Sequence, residues 1–143
     1  MARVSLEFPE KVVFRSRQLL RISDINYGQH LGHDTLISLL HEARCHWLAS
    51  EGLSELSLDG GQVGWVVGEL VVNYQGEAFY PDELTIELAG GDRGSKSIEI
   101  YHRVLRSDGT PVALAKTGLV CFDYASRQAA QVPARLLELL DKD

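Results

Sequence analysis

The sequence predicts an α+β fold, an antiparallel sheet wrapped around one long helix. Three observations predict it. Alternating apolar and polar residues mark one early strand and four late ones. One long segment between them repeats its leucines at helical spacing. The late strands are separated by short glycine-bearing segments, as antiparallel neighbours are.

The elements follow in order. Residues 11–22 read as a strand, with Phe14, Leu20 and Ile22 alternating with Arg15, Arg17 and Arg21. Period two with one wet face is the strand signature. A polar stretch, residues 23–32, carries Gly28 and Gly32. A helix then spans residues 33–50, with Leu36, Leu39, Leu40, Ala43 and Trp47 on one stripe and Leu48 widening it. Asp34 sits where an N-cap or first-turn carboxylate favours the helix dipole, and Gly52 ends the helix.

Residues 62–74 are rich in Val and Trp and read as a strand. In residues 83–89, Leu84, Ile86 and Leu88 alternate with Thr85 and Glu87. Residues 90–94, Gly-Gly-Asp-Arg-Gly, read as a turn. Residues 96–106 alternate Ile98, Ile100 and Val104 with charged side chains. The Asp108-Gly109 pair marks a hairpin turn, and residues 111–124 form the last long strand. Pro133 starts a short tail helix with Leu136, Leu137 and Leu140 on one side. The order β-α-β-β-β-β-α makes the four late strands a meander, and the helix has only that sheet to pack on.

Composition narrows the function. The chain has 143 residues and a formal net charge of −6. A chain of this length forms one domain, expected over residues 1–143, and buries roughly 70% of its unfolded surface without a staple. An acidic balance argues against a nucleic-acid binder, whose footprint is a basic face. The two cysteines, Cys45 and Cys121, show no metal-ligand spacing, and His41 with Cys45 lacks further ligands, so no metal and no cofactor is expected. Both thiols read as free in a reducing compartment. No stretch has signal-peptide character or bilayer-spanning length, so a cytoplasmic protein is expected.

Chemistry is expected in the loop before the helix. It is polar, it holds His30 and His33, and it leads into a helix N-terminus. Free N–H groups there suit a carbonyl oxygen that gains negative charge. Gly28 and Gly32 let a ligand approach the backbone. An ordinary turn and helix cap is the plain alternative.

The run from Asp24 through Ile25, Asn26, Tyr27, Gly28, Gln29, His30, Leu31 and Gly32 to His33, followed by His41-Glu42-Ala43-Arg44, carries a resemblance. It resembles the hotdog-fold acyl-CoA thioesterases of the 4-hydroxybenzoyl-CoA thioesterase type. Their pattern is Asp-x-Asp, then His-Val-Asn-Asn, then a helix with a Glu-x-Ala-Arg turn. The link from Tyr74 to Leu84 and the strand ending Leu119-Val120-Cys121-Phe122-Asp123 are similar to the family's later segments.

The resemblance implies a hotdog fold and hydrolysis of an acyl-CoA thioester. The family's catalytic Asp falls on Asn26, a neutral amide that cannot take a proton. The histidine of the motif falls on His30, and the residue whose N–H polarises the thioester carbonyl falls on His33. The family's helix Glu falls on His41. The expected mechanism has Asn26 and His30 positioning or activating water, with the His33 N–H as oxyanion donor. Imidazole suits general base work near neutral pH. Asp24, Tyr27, Gly28 and Gly32 are the expected substrate contacts in the loop, and Asp24 is a candidate to replace the lost carboxylate. Arg93 and Lys96 are expected to meet CoA phosphates.

Glu69, in an apolar strand, reads as a paired or edge-facing residue or else as a site carboxylate. Tyr27, Trp47 and Trp65 fill the core or line an acyl pocket. The family further implies a homodimer or homotetramer with sheets joined edge to edge. Two other functions fit the same fold: a non-catalytic acyl-CoA-binding protein, suggested by Asn26, and an acyl-thioester hydratase or dehydratase.

Overall fold

The computed structural model describes residues 3–142, so Met1, Ala2 and Asp143 at the ends of the expected domain lie outside the described residues. The elements are β1 (Phe14–Leu19), a 3-10 turn (Ile22–Asp24), α1 (His33–Ser50), β2 (Val63–Tyr74), β3 (Glu83–Arg93), β4 (Ser97–Arg106), β5 (Pro111–Asp123), β6 (Gln128–Ala129) and α2 (Ala134–Asp141). The strands run in the order β1-β3-β4-β5-β2, with β6 on β5, and all their pairings are antiparallel. The α+β class is as expected. Among the described residues no helix is long and apolar enough to cross a membrane.

α1 keeps its expected bounds because its caps agree with its stripe. Gly32 is the N-cap, Asp34 lies in the first turn, and Gly52 follows the end with φ of 72°. Leu36, Leu39, Leu40, Ala43, Trp47 and Leu48 are buried. They meet the inward residues of the meander, Ile86 and Leu88 on β3, Ile98, Ile100 and Val104 on β4, and Ala113, Ala115 and Leu119 on β5. Burial of that apolar surface is the main favourable term of the fold.

The first strand is shorter than the expected 11–22 and its inner face is more polar. Ile22 was expected on the apolar side, yet it is 67% exposed. The chain leaves the strand for the 3-10 turn, and the period-two pattern stops there. Ser16 and Gln18 take the inner positions instead. Ser16 shares a hydrogen bond of 2.7 Å with His46 Nδ1, and Gln18 donates to the Leu39 carbonyl at 3.0 Å. This edge of the sheet is thus tied to α1 by hydrogen bonds.

Three further expectations are corrected. Gly90 and Gly91 do not form a turn; β3 runs on to Arg93 with a register shift between Gly90 and Arg93. Two adjacent glycines here mark a bulge, which weakens pairing without ending the strand. In the tail helix Leu139 is in the core, and Leu137 is only half-buried. The late strands form a three-stranded meander, because β2 pairs with β5 at the opposite edge from β3's other neighbour, β1. The chain between β2 and β3 therefore crosses from one side of the sheet to the other. On the way, the Ala78 carbonyl accepts the Leu31 N–H at 2.8 Å. That crossing brings residues 76–78 against the loop that precedes α1.

Both cysteines are free. Burial raises the Cys121 thiol to about 11, and burial followed by the Glu55 carboxylate raises Cys45. Trp47 and Trp65 lie in the core. Glu69 sits at an exposed irregularity of β2 and pairs with Lys116 at 2.9 Å, which is its expected paired state.

Candidate active site

The loop before α1 is folded by one side chain. Asn26 Oδ1 accepts the N–H of Gly28 at 2.9 Å and the N–H of His30 at 3.4 Å. Its backbone closes the same turn, with Asn26 N–H on the His30 carbonyl and the Gln29 N–H on the Asn26 carbonyl. An Asn that accepts from its own loop is a standard turn former. The turn brings Gln29 to a φ of 67°. With Oδ1 committed, the group Asn26 has left to offer is its amide NH₂, a donor.

His30 is oriented by its neighbour. Its Nδ1 lies 3.1 Å from the Leu31 carbonyl. A carbonyl only accepts, so in the neutral ring Nδ1 carries the proton and Nε2 bears the lone pair. That Nε2 and Asn26 Oδ1 each lie 3.3 Å from the point where a Cβ on residue 28 would stand. Gly28 leaves this space open between a base and an amide.

The start of α1 completes the cluster. The first N–H groups of a helix have no intrahelical acceptor, and the dipole makes them a favourable place for negative charge. A Cβ on Gly32 would stand 2.9 Å from Asp34 Oδ1 and 3.6 Å from Asn26 Cβ, so a side chain there would touch Asn26 and push the Asp34 carboxylate aside. The hydroxyl of Tyr74 donates to the His33 carbonyl at 2.7 Å, and the two rings meet edge to face with centroids 6.5 Å apart.

These residues surround a cavity of about 330 Å³. Asn26, His30 and His33 line its polar side, with Glu77 beside them. Leu31, Leu36, Ala78 and Val112 make an apolar wall. A compact, mostly apolar pocket with a few convergent polar groups is the usual form of a small-molecule site.

The structure brings Asn26, Gly32, His30 and His33 to this pocket and leaves other expected residues outside it. Asp24 is buried and faces away; its carboxylate accepts the Arg21 N–H at 2.8 Å and the Arg21 guanidinium at 3.4 Å. It cannot replace a carboxylate at Asn26, because the strand that would align the two ends at Leu19. Tyr27 is fully exposed, at the tip of the turn, and neither fills the core nor lines the pocket. Arg93 lies at the opposite end of β3 from the crossing and is bound to Asp141 at 2.6 Å. Lys96 stands in the turn between β3 and β4, also away from the pocket.

Sequence reasoning missed Tyr74 and Glu77 as pocket residues. Tyr74 carried the signal of an aromatic at a strand end, but its place beside His33 depends on the crossing. Glu77 lines the pocket, and nothing in its local pattern distinguishes it from a surface residue.

Residues 20–140 match the family model described as the thioesterase-like superfamily, and the chain belongs to that family. A curated 1,4-dihydroxy-2-naphthoyl-CoA hydrolase from Synechococcus elongatus is 27% identical over 89% of this chain and 94% of its own length. Among solved structures, a 1,4-dihydroxy-2-naphthoyl-CoA thioesterase from Synechocystis superposes with a TM-score of 0.80 at 18% identity, covering 90% of this chain and 96% of that one. A Staphylococcus aureus protein in complex with CoA also gives a TM-score of 0.80, at 16% identity over 96% of this chain and 86% of that one. The fold of this chain is the hotdog fold expected from its motif.

Proposed function

We propose that this member of the thioesterase-like superfamily hydrolyses an acyl-CoA thioester to a free acid and CoA, and that the acyl group is compact and aromatic, as in the 4-hydroxybenzoyl-CoA type. One observation carries the reading. The Leu31 carbonyl holds the His30 ring so that Nε2 bears the lone pair beside Gly28 and Asn26, at the loop that leads into the N-terminus of α1.

The chemistry follows from those atoms. A water accepts from the Asn26 NH₂ and donates to His30 Nε2. His30 takes its proton as the oxygen attacks the thioester carbon. The carbonyl oxygen becomes an oxyanion on the His33 N–H, at the positive end of the helix. Collapse of the tetrahedral intermediate breaks the carbon–sulfur bond, and the proton on His30 passes to the leaving CoA sulfur. Tyr74 fixes the carbonyl of His33 and with it the plane of that first turn.

The acyl preference rests on the apolar wall of Leu31, Leu36, Ala78 and Val112 and on a volume of about 330 Å³, at the small end for ligand sites. Relatives named for naphthoyl-CoA hydrolysis support it. Among the described residues, no Lys or Arg lines this pocket to meet the CoA phosphates. β2 is an edge strand of 12 residues with Val66, Val67 and Leu70 exposed, a surface suited to pairing with the β2 of a second copy. Antiparallel pairing of two β2 strands reverses one sheet against the other. It carries the second copy's β3–β4 turn, which follows Arg93 and holds Lys96, toward the pocket end of this chain. A homodimer of this kind, or a homotetramer built from it, reconciles those basic residues with a CoA role.

A panel of acyl-CoAs assayed for thiol release tests the reading. Aromatic acyl-CoAs are expected to turn over, His30→Ala to slow release by about 100-fold or more, and Glu77→Gln to retain it. Binding of every member without release would instead support an acyl-CoA-binding protein. Water addition to an enoyl thioester would point to a hydratase.

A further inference from the structure

A second cluster stands on α1 away from the pocket. His41 and Cys45 are one turn apart on the same helix face, and Glu55 reaches them from the segment between α1 and β2. Glu55 Oε1 lies 2.7 Å from His41 Nε2 and 3.7 Å from Cys45 Sγ. The three donor atoms all fall within 4.8 Å of one another.

The aim of Glu55 is set by its other oxygen. Oε2 accepts the indole N–H of Trp65 at 2.5 Å and the Nε–H of the buried Arg44 at 3.2 Å. These two bonds leave Oε1 to face His41 and Cys45. A carboxylate held from behind by an indole and a guanidinium is the outer-shell arrangement that orients a metal ligand. Gly64 makes it possible, since a Cβ there would run into the Glu55 carbonyl and the backbone of Leu56.

We propose that His41, Cys45 and Glu55 form a site for a thiophilic divalent cation, zinc by its ligand chemistry. Thiolate, imidazole and carboxylate are the three donor types zinc accepts together, and hard cations such as magnesium take oxygen instead. In a tetrahedral zinc site the donors stand roughly 3.3–3.6 Å apart, from the usual bond lengths. The Glu55–Cys45 separation is already close to that, and His41, whose side chain is 58% exposed, has freedom to move its Nε2 away from Glu55 Oε1 and toward Cys45 Sγ. Its exposure also leaves the fourth position to water. Binding displaces the thiol proton of Cys45, so the ligands bring two negative charges; Arg44 offsets one from the far side of the carboxylate.

The cation would pin the segment after α1 to the helix. The site uses no pocket residue and lies eight residues, about 12 Å of helix, beyond His33. It is therefore independent of the hydrolase reading.

The test uses the chelator-treated full chain, titrated with Zn²⁺ and with Co²⁺. One equivalent per chain is expected, with a thiolate-to-cobalt charge-transfer band and a melting temperature that rises with Zn²⁺. The band should vanish in Cys45→Ser and persist in Cys121→Ser. His41→Ala alters an exposed side chain, so it keeps the fold, and it should weaken binding by about 100-fold or more. Trp65→Phe should weaken it by about 10-fold through the lost bond to Glu55. Absence of the band, its survival in Cys45→Ser, or wild-type affinity in His41→Ala would overturn the proposal and leave a hydrogen-bonded cluster only.

Discussion

The hydroxyl of Tyr74, the last residue of β2, donates to the carbonyl of His33, the first residue of α1, at 2.7 Å. One bond thereby ties the sheet edge to the helix turn whose N–H is proposed to hold the oxyanion. Tyr74→Phe keeps the ring and removes the bond. Stability should fall by about 1 kcal/mol in urea denaturation. The same variant should lower kcat more than it changes KM, since positioning acts on the transition state. An unchanged kcat would show that the helix start needs no such tether.

His30→Ala should reduce kcat by about 100-fold to 10,000-fold, the usual contribution of a positioned acid–base group. His30 is half-buried and its ring bonds the carbonyl of the very next residue, so the melting temperature should hardly move. A large fall in melting temperature with activity intact would make His30 a structural residue.

Asn26→Asp separates the two jobs of the side chain. The carboxylate can still accept from Gly28 and His30, so the turn and the melting temperature should survive. The donor to water is lost and a negative charge appears beside the developing oxyanion, so kcat should drop by about 10-fold or more. Higher activity in the variant would instead mean that a carboxylate does this work better and that the amide donor goes unused.

His102 is buried against Arg44, and burial followed by that guanidinium lowers its pKa to about 3. An unfolded imidazole takes up its proton near ~6.5. Between those values the unfolded chain binds more protons than the native one, so stability falls as pH falls. The loss should approach about 1.4 kcal/mol per pH unit below ~6.5 and level off near the native pKa. Denaturant melts at pH 7, 6 and 5 measure it, and His102→Gln should flatten the slope. An equal slope in the variant would assign the acid sensitivity to other groups.

Gly64→Ala should be among the most damaging single-methyl changes in the chain. The added carbon meets the Glu55 carbonyl and the ring of Tyr124, and backbone cannot yield as a side-chain tip can. A loss of about 3 kcal/mol or more is expected from overpacking. Stability near wild type in a denaturant titration would show that the 55–56 segment can move off β2.

Much of this molecule was legible along the chain. α1 was readable to its ends because stripe, first-turn carboxylate and terminal glycine all point the same way. The loop carrying Asn26, His30 and His33 was readable because its polar residues and the helix start are contiguous. Misreadings arose where one signal has two meanings. The glycine pair at 90 and 91 marks a bulge or a turn with equal ease, and Ile22 keeps strand parity after the strand has ended.

The sequence by itself determined the α+β class, the five long strands (though not the short β6) and the loop where the site forms. Those depend on period and on neighbours within a few residues, and side-chain pattern encodes them directly. The tertiary structure alone decided which distant groups meet. It placed β2 on β5, and so put Tyr74 and Glu77 in the pocket while leaving Asp24 and Tyr27 out of it. It also set Glu55 between His41 and Cys45, turning a two-residue spacing without a third ligand into a three-donor cluster. Such meetings depend on strand register and on the path of a crossing segment, and periodicity carries no record of either.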